Sequence, residues 1–351
     1  MKGRRVSEPI RINLALQGGG AHGAFTWGVL DVFLADEGIE IAAISGTSAG
    51  ALNGAALKAG LLEGGRAGAR RNLDWLWSQV GALNDMRLAG WMNAFGPTPG
   101  MVSRALEYSL PFSLADTATR VFSPYSYGPF YRNPLERIAR RFHYDSVCAK
   151  DGPELHVSTT NVRTGKIRVF AGEEINTDVI LASACLPTLF QAVEFTDPAT
   201  GAHEAFWDGG YTGNPALFPL YGAHLPDDIV VVNINPLVRD VLPVTAQEIL
   251  NRINEISFNS SLLREMRAIA FVKRLIADDQ VEKGAMKDVL MHMVADDALM
   301  RELSVATKLV PSPTVLADLK AAGRAAAEAF LGAHRGDLGQ RGTVDLQEMF
   351  G

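Results

Sequence analysis

The pentapeptide GTSAG at residues 46–50 has the pattern G-x-S-x-G, which in many hydrolases holds a nucleophilic serine on a sharp turn between a strand and a helix. The apolar run IEIAAIS before it predicts a buried strand, and the small apolar residues of ALNGAALKAGLL after it predict a buried helix. Gly46 and Gly50 are the glycines of this motif. Because a serine hydroxyl is a poor nucleophile until a base accepts its proton, Ser48 needs a partner elsewhere in the chain.

A second glycine motif, GGGAHG at residues 18–23, follows the apolar stretch IRINLALQ, which predicts the first strand. Consecutive glycines at the start of a helix expose backbone N–H groups, and such donors suit the oxyanion of an acyl-transfer intermediate. Gly18, Gly20 and Gly23 also match G-x-G-x-x-G, the turn that binds dinucleotides. That turn needs an acidic residue at the tip of the second strand, where this chain has SGTSAG. Because this acidic residue is missing, a nucleotide-binding regulatory protein is the less favoured alternative.

The base that serves Ser48 is either a histidine or an acidic residue. An α/β-hydrolase would need an acidic residue and then a histidine after its serine, but most of the six downstream histidines have no local catalytic signature. Asp208 stands before Gly209 and Gly210 in WDGG, at the end of a short predicted strand. Such an aspartate can be a simple turn former. Its place at a third glycine-framed strand end makes it the candidate base, since the ends of parallel strands share one crevice.

Taken together, GGGAHG, GTSAG and DGG, in this order and spacing, resemble the patatin-like phospholipase family, as do SACLPTLF before the aspartate and GNPAL after it. The resemblance covers residues 10–235 and implies that Ser48 is the nucleophile and Asp208 the base, in a dyad without histidine. It also implies that four residues frame the oxyanion hole: Gly18, Gly19, Gly20 and Ala21. His22 is a departure, because its position is often Arg or Lys in the family.

The resemblance implies a serine acyl hydrolase that cleaves carboxylic esters of lipids, of the phospholipase A or lysophospholipase type, without a metal or other cofactor. An esterase or depolymerase for other acyl esters, such as polyhydroxyalkanoate, would use the same dyad and remains an alternative. The expected partner is an acyl lipid or another hydrophobic ester.

Composition narrows the classes of protein that this chain can be. It has 351 residues, of which 47% are hydrophobic, and a net charge of -6, so it predicts a folded globular protein and disfavours nucleic-acid binding. Its two cysteines fit a reducing compartment. No apolar stretch is long enough for a transmembrane helix or a signal peptide. We therefore expect a cytoplasmic protein, with reversible membrane-surface contact and the oligomeric state left open.

The elements that must position these residues alternate between strand and helix, which predicts an α/β fold. The resemblance implies the three-layer patatin-like arrangement, a central mostly parallel sheet flanked by helices. We expect a catalytic domain over residues 10–235 and a mainly helical extension over 236–340 packed on it. An insertion at about 66–142, rich in Pro and aromatic residues, forms either a cap over the substrate or part of the core.

Within the C-terminal extension, apolar spacing predicts one long amphipathic helix, or a pair, over residues 245–277. Its apolar face is expected to pack on the sheet, with docking on a membrane surface as the alternative; the face comprises Ile249, Ile253, Ile256, Leu263, Met266 and Ile269. The run DVLMHMV at 288–294 predicts an edge strand.

Overall fold

A computed structural model describes residues 8–83, 123–282, 284–303 and 305–350. The part of the predicted insertion at 84–122, and with it the prediction of a cap, lies outside the described residues. The strands are β1 (Ile10–Leu16), β2 (Ile39–Thr47), β3 (Glu154–Asn161), β4 (Ile167–Ala171), β5 (Val193–Thr196), β6 (His203–Asp208), β7 (Asp228–Asn233) and β8 (Leu290–Ala295).

These strands form one sheet in the order β5-β6-β3-β2-β1-β7-β8, with β4 paired to β3. Five neighbouring strands run parallel to one another, namely β3, β2, β1, β7 and β8. The other three, β4, β5 and β6, are antiparallel to their neighbours. Helices cover both faces of the sheet, which is why a central strand such as β7 is buried along its whole length. The expected α/β fold with a mostly parallel sheet is confirmed.

The helices are α1 (Gly23–Phe33), α2 (Ala49–Ala82), α3 (Glu136–Ala139), α4 (Tyr144–Val147), α5 (Thr177–Ser183), α6 (Ala246–Ala277), α7 (Asp297–Glu302), α8 (Val305–Leu309), α9 (Pro313–His334) and α10 (Leu346–Phe350). Helix α2 breaks at Gly64 and Gly65, where the backbone is not helical. The predicted insertion at residue 66 therefore begins with the second half of this helix.

The alternation of side chains along the strands divides the core into two layers. Leu14 and Val230 belong to the layer that includes α1, α2 and α9. Ala15 and Val231 belong to the opposite layer, which includes α6 and α10. A Cβ on Gly323 of α9 would lie 2.0 Å from the carbonyl oxygen of Phe25, so α9 contacts the backbone of α1 directly.

The edge strand predicted at 288–294 is confirmed, since β8 is the last strand of the sheet and runs parallel to β7. At the other side of the sheet, β4 pairs antiparallel with β3, and helix α5 ends at Ser183.

Helix α6 is one continuous helix, but the expected packing of its whole apolar face on the sheet is wrong. Ile249, Ile253 and Ile256 are 42%, 54% and 54% exposed, because the first half of the helix turns a different face inward. That inward face contains Glu255, Asn259, Leu262, Met266 and Ile269, all of them buried.

Candidate active site

Ser48 lies on the turn that joins β2 to α2. Its φ of 54° and ψ of -120° are strained for a residue with a side chain. The turn is held because the Ser48 N–H donates to Ser183 Oγ at 2.9 Å, and the Ser183 hydroxyl donates to the carbonyl oxygen of Ser158 at 2.7 Å. The observed turn has the local geometry that G-x-S-x-G predicts, with a serine at the start of a helix whose positive end favours negative charge.

Close backbone approach explains the glycines around Ser48. A Cβ on Gly50 would lie 2.1 Å from the carbonyl oxygen of Leu16, and one on Gly46 would lie 2.6 Å from the carbonyl oxygen of Gly50. A Cβ on Gly18 would lie 2.7 Å from the Cβ of Ser48. The serine turn and the glycine turn after β1 therefore touch each other through atoms that no larger residue could accommodate.

Two asparagine side chains hold the glycine turn. The Gly18 N–H donates to Asn214 Oδ1 at 2.6 Å, and Asn235 Nδ2 donates to the carbonyl oxygen of Gly18 at 2.9 Å. Gln17 Oε1 accepts hydrogen bonds from both Asn235 nitrogens at 3.1 Å, which fixes that asparagine in turn. The Gly18 N–H is therefore engaged within the protein.

The backbone N–H groups that follow Gly18 in the turn differ from it in their hydrogen bonding. Among the described residues, no hydrogen bond uses the N–H groups of Gly19, Gly20 or Ala21. Gly19 and Gly20 line a cavity together with Ser48 and Asp208. Gly20 has a φ of 58°, and Gly23 starts α1 with its Cα against Ala49, next to the serine.

Asp208 reaches the same cavity on the last residue of β6. The expectation that it ends a parallel strand is wrong, because β6 is antiparallel to β3 and pairs Asp208 with Thr159. The chain enters β6 from beyond the carboxyl end of β3, so β6 ends level with the turn that follows β2, whose Thr47 pairs with Ser158. Ser48 and Asp208 thus meet across the carboxyl end of β3.

Burial controls the acidity of Asp208, which is 2% exposed. Burial raises the pKa of its carboxyl to about 7, while hydrogen bonds from the Gly210 N–H and from the Ser48 side chain lower it. The Gly210 N–H lies 2.7 Å from Asp208 Oδ1. Gly209 packs on β3, since a Cβ there would lie 2.2 Å from the carbonyl oxygen of Ser158. A carboxylate with a pKa near neutrality suits a general base.

Two cavities meet at Ser48. One, of about 210 Å³, is mostly apolar, and its wall includes Leu52, Trp77, Val80, Leu135, Leu186 and Phe190. The other, of about 120 Å³, adds polar groups, and its wall includes Asp208, Tyr211, Asn214, Asn254 and Lys308. Ser48, Gly20 and Lys308 border both cavities. This arrangement can accept an ester with its carbonyl at the serine and its two substituents in separate spaces.

The histidines lie away from these two cavities. No histidine of the described residues is part of either wall. His292 is buried with Asp228, and His22 is buried with its Nε2 2.8 Å from Thr307 Oγ1. Burial, followed by the charges of Lys308 and Arg239, holds the pKa of His22 well below its usual range, so its imidazole is neutral near pH 7.

The residues that support the glycine and serine turns are not apparent from the sequence. Asn214 lies in GNPAL and Ser183 begins SACLPTLF, two segments that the resemblance included without a role for these residues, whereas Asn235 and Lys308 carry no motif at all. Within residues 8–83, 123–282, 284–303 and 305–350, no group of three or more His, Cys, Asp or Glu side chains could hold a metal ion. In the same ranges, no helix is long and apolar enough to span a bilayer.

The fold and the site define a class of protein, an α/β protein with a strained serine turn beside a glycine-rich turn and a buried aspartate. The family model for patatin-like phospholipase matches residues 14–221. The chain therefore belongs to the patatin-like phospholipase family, and the resemblance noted from the motifs is confirmed. The family indicates lipid acyl hydrolase activity in general.

The chain was also compared with solved structures and with curated protein sequences. The chain is similar to the crystal structure of VipD from Legionella pneumophila, with a TM-score of 0.44 and 14% identity, over 93% of this chain and 67% of that one. No curated protein sequence matches the chain.

Proposed function

We propose that this protein cleaves carboxylic esters of lipids through a Ser48–Asp208 dyad, as a phospholipase A or lysophospholipase. One observation carries the proposal: a buried aspartate with a pKa raised to about 7 shares a cavity with a serine on a strained turn. The catalytic residues would all belong to residues 10–235, with 236–340 as an extension packed on them.

In the proposed reaction, Asp208 accepts the Ser48 proton as Oγ attacks the ester carbonyl. The acid form of Asp208 then protonates the leaving alcohol, and water activated by the same carboxylate releases the fatty acid from the serine. The raised pKa favours this cycle, because a carboxyl group whose pKa is near 7 can both accept and return a proton at neutral pH. A histidine is not needed at any step.

We assign the oxyanion hole to the backbone N–H groups of Gly19 and Gly20, with Ala21 beside them. Gly18 frames the oxyanion hole by its position but does not donate to the oxyanion, because its N–H already donates to Asn214. Loss of one such donor typically costs about 3–4 kcal/mol of transition-state stabilisation. The engagement of Gly18 also disfavours the dinucleotide alternative, in which that turn would present its N–H groups to a pyrophosphate.

The test is hydrolysis of p-nitrophenyl butyrate by Ser48→Ala and Asp208→Asn. Both variants should lose nearly all activity while they keep the circular dichroism of the wild type. The matched controls Ser78→Ala and Asp227→Asn change an exposed serine and an exposed aspartate, and they should retain full activity. An active Asp208→Asn variant would exclude the dyad, and a large loss in one His→Ala variant would favour a histidine base.

The choice between lipid and other acyl esters rests on the 210 Å³ apolar cavity, which fits part of an acyl chain. A panel of lysophospholipids, monoacylglycerols and short-chain polyhydroxyalkanoate separates the two. Hydrolysis of the polymer alone would replace the lipase proposal with the depolymerase.

We also propose reversible contact with a membrane surface. An exposed apolar surface precedes and includes the start of α6, and it consists of Val238, Val241, Leu242, Val244, Ile249, Ile253 and Ile256. The same helix carries Asn254 and Phe258, which line the cavity beside Asp208.

Both cysteines are free, which fits the reducing cytoplasm as the compartment.

Vesicle flotation tests this contact. Wild type should float with phospholipid vesicles, and a Val241→Asp, Leu242→Asp double variant should not. Phe218→Asp changes an exposed apolar residue elsewhere and is the control. Equal flotation of all three proteins would contradict the proposal.

A further inference from the structure

Lys308 is the one cation in the walls of both cavities, as far as the structure describes them. It lies on the short helix α8, far along the chain from the catalytic motifs. Its Nζ donates to Asn235 Oδ1 at 2.9 Å, and Asn235 in turn donates to the carbonyl oxygen of Gly18. The ammonium is therefore two hydrogen bonds away from the glycine turn.

Helix α8 is fixed against that turn. A Cβ on Gly20 would lie 2.4 Å from the carbonyl oxygen of Lys308, so the two backbones are in contact. The residue before Lys308, Thr307, forms a hydrogen bond with the buried ring of His22. The position of the lysine relative to Ser48 is thus set by the packing of α8, and we expect it to persist when substrate binds.

The charges around Lys308 leave an excess of positive charge. Within the described residues, Lys308 makes no salt bridge. Glu255, the nearest acidic influence, already pairs with Arg239 and with Arg252, at 2.5 Å and 3.2 Å. Burial lowers the pKa of Lys308 to about 8, against the opposing effect of Glu255, so the ammonium is still mostly charged at pH 7.

A partly buried cation without a carboxylate partner is costly unless a ligand supplies the opposite charge. The two cavities indicate which part of a substrate would do so. The acyl chain fits the apolar cavity, so the leaving alcohol and its substituent would occupy the polar cavity with Lys308 on its wall.

We propose that Lys308 binds a phosphate on the leaving alcohol of the ester and makes phosphate-bearing acylglycerols better substrates than neutral ones. This inference rests on the proposed acyl hydrolase function and names the residue that would set its preference. His22 cannot supply this charge because its ring is neutral, and α8 supplies it instead.

The test compares two substrates that differ only in the phosphate, 1-oleoyl-lysophosphatidic acid and 1-monooleoylglycerol. In Lys308→Met, kcat/KM for the phosphate ester should fall about tenfold or more, the effect of one charge-assisted hydrogen bond, and mainly through KM. Because Lys308 also donates to Asn235 beside the glycine turn, some loss on monooleoylglycerol and on p-nitrophenyl butyrate is expected. That loss should be several times smaller than the loss on the phosphate ester, so the preference for the phosphate ester should fall. Lys308→Arg should keep most of the preference.

Lys320→Met serves as the control, because Lys320 pairs with Asp74 outside both cavities. An equal loss on both substrates in Lys308→Met would show a structural role only, and no loss on either would show no role; each result overturns the inference. If wild type hydrolyses none of these esters, the proposed function itself fails. If wild type hydrolyses both esters without a preference that depends on Lys308, this inference alone fails.

Discussion

Replacement of Asp208 by Asn should remove activity and increase stability. The carboxyl group has a pKa of about 7 in the folded protein, against 3.8 for the free side chain. The folded state therefore holds its proton more tightly than the unfolded chain. The contribution of Asp208 to stability is fully present below pH 3.8 and is lost as the pH rises towards 7.

The size of the effect follows from these two values. Linkage gives a loss of about 2 kcal/mol in the free energy of unfolding at pH 5 and about 4 kcal/mol at pH 8, relative to a side chain that stays neutral. Asparagine is such a side chain, and its Oδ1 can still accept the hydrogen bond from the Gly210 N–H. The stability advantage of Asp208→Asn over wild type should thus grow by about 2–3 kcal/mol between pH 5 and pH 8.

Urea unfolding at the two pH values, followed by the fluorescence of the five tryptophans, measures this difference. Asp197→Asn is the control of opposite sign. Its hydrogen bonds from Arg168 lower the pKa of Asp197, so wild type should be more stable than this variant at pH 8 and should lose that advantage as the pH falls. An advantage of Asp208→Asn that is the same at both pH values would refute a raised pKa at Asp208.

Three more predictions follow from the same geometry. The kcat/KM for p-nitrophenyl butyrate should rise with pH and level off above about 7, because only the carboxylate form of Asp208 accepts a proton; a half-maximal rate near pH 4 would contradict this. Asn214→Leu should lower kcat by about 10- to 100-fold with little change in KM, since the Gly18 N–H loses its acceptor and the oxyanion donors shift; an unchanged kcat would contradict the role of Asn214. Gly50→Ala should lower the free energy of unfolding by about 1–3 kcal/mol in urea titrations, because its Cβ would overlap the carbonyl oxygen of Leu16; wild-type stability would show that the two turns can separate freely.

The local part of the site is predictable from the sequence because each motif carries its own geometry. An apolar strand followed by glycines and a small-residue helix predicts the turn at Ser48, and the structure has that turn. The same reasoning locates the glycine turn after β1. Both depend on contacts between residues close in the chain, or on backbone space that only glycine leaves.

The long-range part is not predictable from these patterns. The direction of β6 depends on its pairing with β3 at Asp208 and Thr159, a contact that no local spacing encodes. The apolar residues on the exposed face of α6 have the same helical spacing as those of a buried face. Which face of the helix packs against the protein therefore depends on the neighbouring elements. Lys308 lacks a motif, and its position beside the glycine turn follows only from the contact of α8 with Gly20.

Activation of Ser48 by Asp208 is tested most directly by the rate at which a fluorophosphonate probe labels the protein, with the modified peptide identified by mass spectrometry. Wild type should be labelled on Ser48, and Asp208→Asn should be labelled there at least about 100-fold more slowly while the Asp227→Asn control matches wild type. Labelling of Asp208→Asn at the wild-type rate, or of another residue in place of Ser48, would contradict the dyad.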